Sequence, residues 1–139
     1  MKLSRTACYA IQAVVFMALQ GENQIVIGHR AAKELGIPEG FLLRILVALS
    51  RARILWSIKG PNGGYRLARP AKDISLLDVV EAVEGPLRGS VLFSPGEESR
   101  GVDRRLEAIC QQITDSIRKQ LQKVRISDLA TKGSLAKSR

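Results

Sequence analysis

The stretch Pro38-Glu39-Gly40-Phe41-Leu42-Leu43-Arg44-Ile45-Leu46 opens the segment that decides how this chain is read. The segment continues through Ile54-Leu55-Trp56-Ser57-Ile58, turns at Lys59-Gly60-Pro61-Asn62-Gly63-Gly64, and returns as Tyr65-Arg66-Leu67-Ala68. Its first part reads as a helix over 38–52. Leu42, Ile45, Leu46 and Leu49 recur three or four apart, so they share an inward face with Phe41 beside them. Glu39, Gly40, Leu43, Arg44, Val47 and Arg51 are left outward. Ile54, Trp56 and Ile58 alternate with Leu55 and Ser57, the pattern of a half-buried strand. Residues 60–64 suit tight or left-handed backbone. A helix followed by a hairpin, with basic and small outward side chains, has the form of a DNA-reading helix with a wing.

Upstream, residues 28–35 read as a short helix closed by Gly36 where a left-handed conformation is needed. Pro38 then suits the first turn of the next helix, because its missing N–H has no intrahelical partner there. Two helices around a Gly-containing turn make a helix-turn-helix candidate. A further helix is expected over 4–20, with Leu3, Ala7, Ile11, Val14, Val15, Ala18 and Leu19 at helical spacing. Ser4 can cap its start and Gly21 can end it. Ile25-Val26-Ile27 reads as an apolar link or strand remnant.

Downstream, Ser75 and Asp78 form a capping pair for a helix over 75–84, with Leu76, Leu77, Val80 and Val83 as its apolar face. Gly85-Pro86 stops it, and 86–101 reads as a flexible loop. From 102 to 126 a long helix is expected, striped by Val102, Leu106, Ile109, Ile113, Ile117, Leu121 and Val124. That is more apolar stripe than one small domain needs. Pairing with a second copy would bury it. It can also fold back on its own domain, and neighbouring faces can serve both contacts. The basic tail 127–139 is expected to fray.

Charge agrees with the helix–hairpin reading. The chain of 139 residues carries a net +9 and a pI near 10.2. Residues 28–72 hold nine Lys/Arg and two Asp/Glu, a net +7. An excess this local points to a polyanion, nucleic acid or an anionic membrane surface, and its coincidence with the helix–hairpin favours nucleic acid. No apolar run is long enough to span a membrane and no signal-peptide pattern is present, so a cytoplasmic, nucleoid-associated protein without membrane contact is expected. Two cysteines, Cys8 and Cys110, make no disulfide framework, and with the single His29 they give no zinc-ligand spacing. The simplest reading of both thiols is a buried small hydrophobe. His29 reads as a surface residue or a phosphate contact. The Gly-rich turn lacks the Lys-Ser/Thr ending of a nucleotide-binding loop. With no clustered carboxylates and no nucleophile motif, an enzyme is not expected.

Met1-Lys2-Leu3-Ser4, Ala10, Ile37-Pro38-x-x-Phe41-Leu42, the run Lys59 to Pro70, Ile74 to Val80 and Glu81-Ala82-Val83-Glu84-Gly85 resemble the Rrf-type (IscR-, NsrR- and CymR-like) family of bacterial winged-helix transcription regulators. The resemblance covers 1–86 nearly without gaps. It implies a mainly α fold with a small β-hairpin wing: a winged helix-turn-helix domain over 1–85, then a dimerisation helix over 102–126. It implies a homodimer on double-stranded DNA with a palindromic operator; the sign of regulation, repressor or activator, is left open, with a repressor preferred. Carried onto this sequence, the reading-helix residues are Glu39, Gly40, Leu43 and Arg44, and the wing residues are Lys59, Gly60, Pro61 and Asn62. Arg5, Arg30, Arg51 and Arg66 are further phosphate candidates. Leu106, Ile109, Ile113, Ile117, Leu121 and Val124 are the dimerisation candidates.

The best-known members carry three closely spaced cysteines after the Val-Glu-Gly end and hold an iron–sulfur cluster there. Leu87 to Arg105 contains no cysteine, so no cluster or other cofactor is expected at that place. A small molecule, a thiol signal or a partner protein is left open as effector. A different class of function, a winged-helix interaction module acting through a metabolic enzyme partner, is the alternative.

Overall fold

Ser4 starts the first helix. Its backbone is extended and its Oγ accepts from the Ala7 N–H at 3.0 Å, so helix α1 runs Arg5–Gln20 and ends at Gly21. The computed structural model describes residues 1–91, 100–131, 133 and 135. The buried side of α1 carries Ala7, Ala10, Ala13, Val14, Val15, Phe16 and Met17. The small alanines let neighbouring helices approach closely. Leu3 and Leu19 are exposed rather than part of this face, since one precedes the cap and the other lies in the last turn.

Helix α2, Gly28–Leu35, ends at Gly36 with φ 68° and ψ 28°, a left-handed conformation that costs glycine little. Helix α3 is Glu39–Arg51, and Pro38 is its cap residue rather than its first helical residue. Leu42, Ile45, Leu46 and Leu49 are buried, as their spacing requires. Each contributes about 1.5–3 kcal/mol of hydrophobic burial.

Arg53 links α3 to the hairpin in a left-handed conformation, φ 61°. Strand β1 is Leu55–Ile58 and pairs antiparallel with β2, Gly64–Leu67, in the register Leu55↔Leu67, Trp56↔Arg66. The alternation expected along β1 places Leu55 inside and Trp56 outside. Leu55 is fully buried and Trp56 is 48% exposed. Ile54 is also buried, because it lies before the strand and closes the turn, donating to Leu49 O at 3.0 Å and accepting from Ala68 N at 2.9 Å. Val26 exchanges two backbone hydrogen bonds with Tyr65, at 2.7 and 2.8 Å, so the apolar link lies against the free edge of β2.

A short 3₁₀ turn, Ala71–Asp73, leads to Ser75, which caps helix α4, Leu76–Glu84. Ser75 Oγ accepts from Asp78 N and Asp78 Oδ2 accepts from Ser75 N, both at 3.0 Å. Val79 is fully buried, alongside the expected Leu77 and Val80.

The long helix α5 runs Arg100–Lys123, starting two residues before and ending three residues before the expected 102–126. Its end is set by pairing: Leu76 N donates to Val124 O at 2.8 Å and Ile126 N donates to Ile74 O at 2.9 Å. Residues 124–126 are drawn out of the helix to lie beside 74–76. Val124 is therefore half-buried outside α5. Ile126 is fully buried in the core and opens a one-turn helix α6, Ile126–Leu129, so fraying does not begin at 127. Leu129, Ala130 and Leu135 pack on the same core. The rest of the tail, and 92–99 of the loop, lie outside the described residues.

The α5 stripe divides. Leu121 is 8% exposed, Ile117 is half-buried, and Val102, Leu106, Ile109 and Ile113 are 60%, 44%, 49% and 55% exposed. An ion pair from Arg118 to Glu81 of α4 ties the helix down near its seated end. Cys8 and Cys110 are half-buried rather than buried.

Candidate nucleic-acid interface

Burial of Leu42, Ile45, Leu46 and Leu49 forces the opposite side of α3 outward. Glu39, Gly40, Leu43, Arg44, Val47 and Arg51 are all exposed there. Arg44 lies over the Phe41 ring, 5.5 Å from its centre, and Phe41 meets Tyr9 of α1 edge-on at 5.6 Å. This cation–π contact orients the guanidinium without using its hydrogen-bond donors. No hydrogen bond or ion pair engages Arg44 among the described residues. Exposed Leu43 and Val47 offer the apolar contact that suits a thymine methyl group, and a free arginine fork suits a guanine edge or a phosphate.

Glu39 is engaged. Its Oε2 is 3.0 Å from His29 Nδ1, which joins the start of α3 to the start of α2. Sequence spacing does not reveal this pair, because the turn at Gly36 sets it and the residues lie on different helices. Arg30 is also engaged, donating from Nε to Glu34 at 2.9 Å along α2.

At the wing, Lys59, Gly60, Pro61 and Asn62 are exposed. The turn closes through Gly63 N to Gly60 O at 2.9 Å. A Cβ on Gly63 would lie 2.1 Å from Ile58 O, so this position admits only glycine without a backbone shift. Arg66 lies opposite Trp56 at the base of the hairpin; it is half-buried and its Nε has no hydrogen-bond partner among the described residues. Arg5 and Arg51 are exposed at the first turn of α1 and the last residue of α3.

The geometry is thus a short helix, a left-handed Gly turn, an exposed second helix and a Gly-rich hairpin braced by Val26. The Rrf2 family profile, described as an iron-dependent transcriptional regulator, matches residues 3–132. The chain belongs to the Rrf2 family. The HTH-type regulator Rv1287 of Mycobacterium tuberculosis is 33% identical over 131 residues, 94% of this chain and 81% of that protein. IscR of Cereibacter sphaeroides is 40% identical over 86 residues, 60% of this chain and 56% of that protein. Among solved structures, T. potens IscR superposes with a TM-score of 0.72 at 25% identity, covering 99% of this chain and 94% of that one. CymR of B. subtilis gives a TM-score of 0.71 at 23% identity, covering 94% and 96%. The fold is that of these Rrf2 regulators, and the family's members are regulators of transcription rather than enzymes.

An iron–sulfur cluster of this family type does not fit the residues present. Such clusters need several thiolate or imidazole donors on one centre. The segment 87–105 contains neither cysteine nor histidine. Among the described residues no group of three or more His, Cys, Asp or Glu could hold a metal ion. Two side chains hold the start of this segment, at Leu87 and Gly89. Glu81 Oε2 accepts from Leu87 N at 2.7 Å, and Gln111 Oε1 accepts from Gly89 N at 3.1 Å. No helix among the described residues is long and apolar enough to cross a membrane.

Proposed function

We propose that this Rrf2 member is a transcriptional repressor that binds a palindromic operator as a homodimer, without a cluster in the segment after α4. The carrying observation is the outward face of α3, where Leu43, Arg44 and Val47 are exposed together while the helix's four core residues are buried. Glu39, Gly40, Leu43 and Arg44 read base edges, and Lys59 to Asn62 hold the phosphate backbone or minor groove. Arg5, Arg51 and Arg66 add phosphate contacts. Arg30 contributes less, since Glu34 already holds it. The protein works in the cytoplasm, on the nucleoid.

The exposed half of α5 supports the dimer. Leu106, Ile109 and Ile113 cover one another's counterparts across a two-fold axis, and Ile117 forms the margin of the contact. Two winged helices placed symmetrically read two half-sites about 34–36 Å apart, or a multiple of that spacing.

In vitro selection from random duplex DNA, followed by footprinting, tests the reading. A palindromic motif protected at two half-sites, bound about a thousandfold or more above random duplex, is the expected result. Uniform affinity for all duplexes at several salt concentrations would contradict it.

A further inference from the structure

A second feature adjoins Arg44. Thr6 of α1, Phe41, Arg44, Ile45 and Ala48 of α3, and Val83 of α4 line a cavity of about 260 Å³. Phe41, Ala48 and Val83 give it carbon walls, Thr6 supplies a hydroxyl, and Arg44 is its cation. The guanidinium lies over the Phe41 ring and is unpaired among the described residues. An arginine with all its donors unused beside an apolar hollow matches a carboxylate joined to a compact hydrocarbon body. Ligand sites commonly run from about 300 to 1,000 Å³, so this hollow takes one ring or one short chain.

We propose that this cavity binds a small apolar monocarboxylate and that its occupation weakens operator binding through Arg44. The ligand's body fills the space between Phe41, Ala48 and Val83, and its carboxylate takes the guanidinium fork. Arg44 also lies on the exposed face assigned above to DNA, so one side chain serves both partners and cannot satisfy both fully. The coupling is reciprocal: the factor by which the carboxylate weakens operator binding equals the factor by which operator weakens carboxylate binding. This second half rests on the DNA-binding reading, whereas the ligand site itself does not.

The test has two arms. In the first, without DNA, calorimetry measures phenylacetate and hexanoate against the full chain, with phenylacetamide and acetate as partners lacking the charge or the apolar body. At least one of the two apolar carboxylates should bind about tenfold or more tighter than either control, the worth of a charge-assisted hydrogen bond or of a buried hydrocarbon body. Arg44→Met should reduce that affinity to the level of the amide. Val83→Phe, which fills the hollow from α4, should abolish it, with Ala48→Leu as the second filler if Val83→Phe loses helical signal. Binding of phenylacetate and hexanoate no tighter than acetate, or undiminished in a folded filler variant, would overturn the site. In the second arm, a selected operator is titrated with and without the bound carboxylate. Operator affinity should fall in the wild type and stay unchanged in Val83→Phe. An unchanged operator affinity in the wild type, despite ligand binding in the first arm, would overturn the coupling alone.

Discussion

Helices α3 and α5 carry comparable apolar stripes and end in opposite situations. In α3 the stripe of Leu42, Ile45, Leu46 and Leu49 is finished inside the protomer, so its outer side chains, apart from Glu39 which meets His29, are left to another molecule. In α5 only the C-terminal end of the stripe is seated, at Leu121, while Val102 to Ile113 remains in solvent. Periodicity alone cannot tell these cases apart. What separates them is the number of elements available to cover each face. Helix α3 lies among α1, α2, α4 and β1, whereas α5 is tied mainly to α4.

That difference can be attacked directly. Leu46→Ala should cost about 2–5 kcal/mol in urea unfolding, because a fully buried side chain leaves a cavity. Ile113→Ala should change protomer stability far less, and Ile113→Glu should leave the helical signal intact while shifting sedimentation from dimer to monomer. If Leu46→Ala and Ile113→Ala unfolded at the same denaturant concentration, the contrast between the helices would fail. Ser75→Ala probes the junction that ends α5. Loss of the cap hydrogen bond should cost about 0.5–2 kcal/mol in the same assay, near the upper end because Ser75 is buried beside the 124–126 pairing. Arg53→Gly should act in the other direction. Relief of the left-handed conformation at the exit of α3 should raise stability by about 1 kcal/mol, and a lower melting temperature would show that the Arg53 side chain matters more than its backbone.

The four core residues of α3, the caps at Ser4 and Ser75 and the left-handed Gly36 were legible in the sequence because each depends on neighbours within one helical turn. The exposed face of α3 followed by elimination, since burying one side of the helix leaves the other outward. Three features were not legible, and each depends on a distant segment. The break at Val124 and Arg125 is set by pairing with Ile74 and Leu76, some fifty residues away. The phase of β1 is set by Leu67 across the hairpin, which places Leu55 inside and Trp56 outside. The His29–Glu39 pair is set by the angle between two helices. The cysteine-free segment was plain from composition, but the hydrogen bonds that Leu87 N and Gly89 N donate to Glu81 and Gln111 were not.

If the outer face of α3 reads DNA while the inner face only supports it, losing an outer side chain must weaken operator binding and leave the fold intact. Titration of a selected operator with wild type and Arg44→Ala, repeated from low to moderate salt, tests this most directly. Arg44→Ala should cost about 1–3 kcal/mol on the selected site. The loss should be smaller on random duplex, and the variant's circular dichroism and oligomeric state should be unchanged. Equal affinity of wild type and variant for the selected operator at every salt concentration would contradict it.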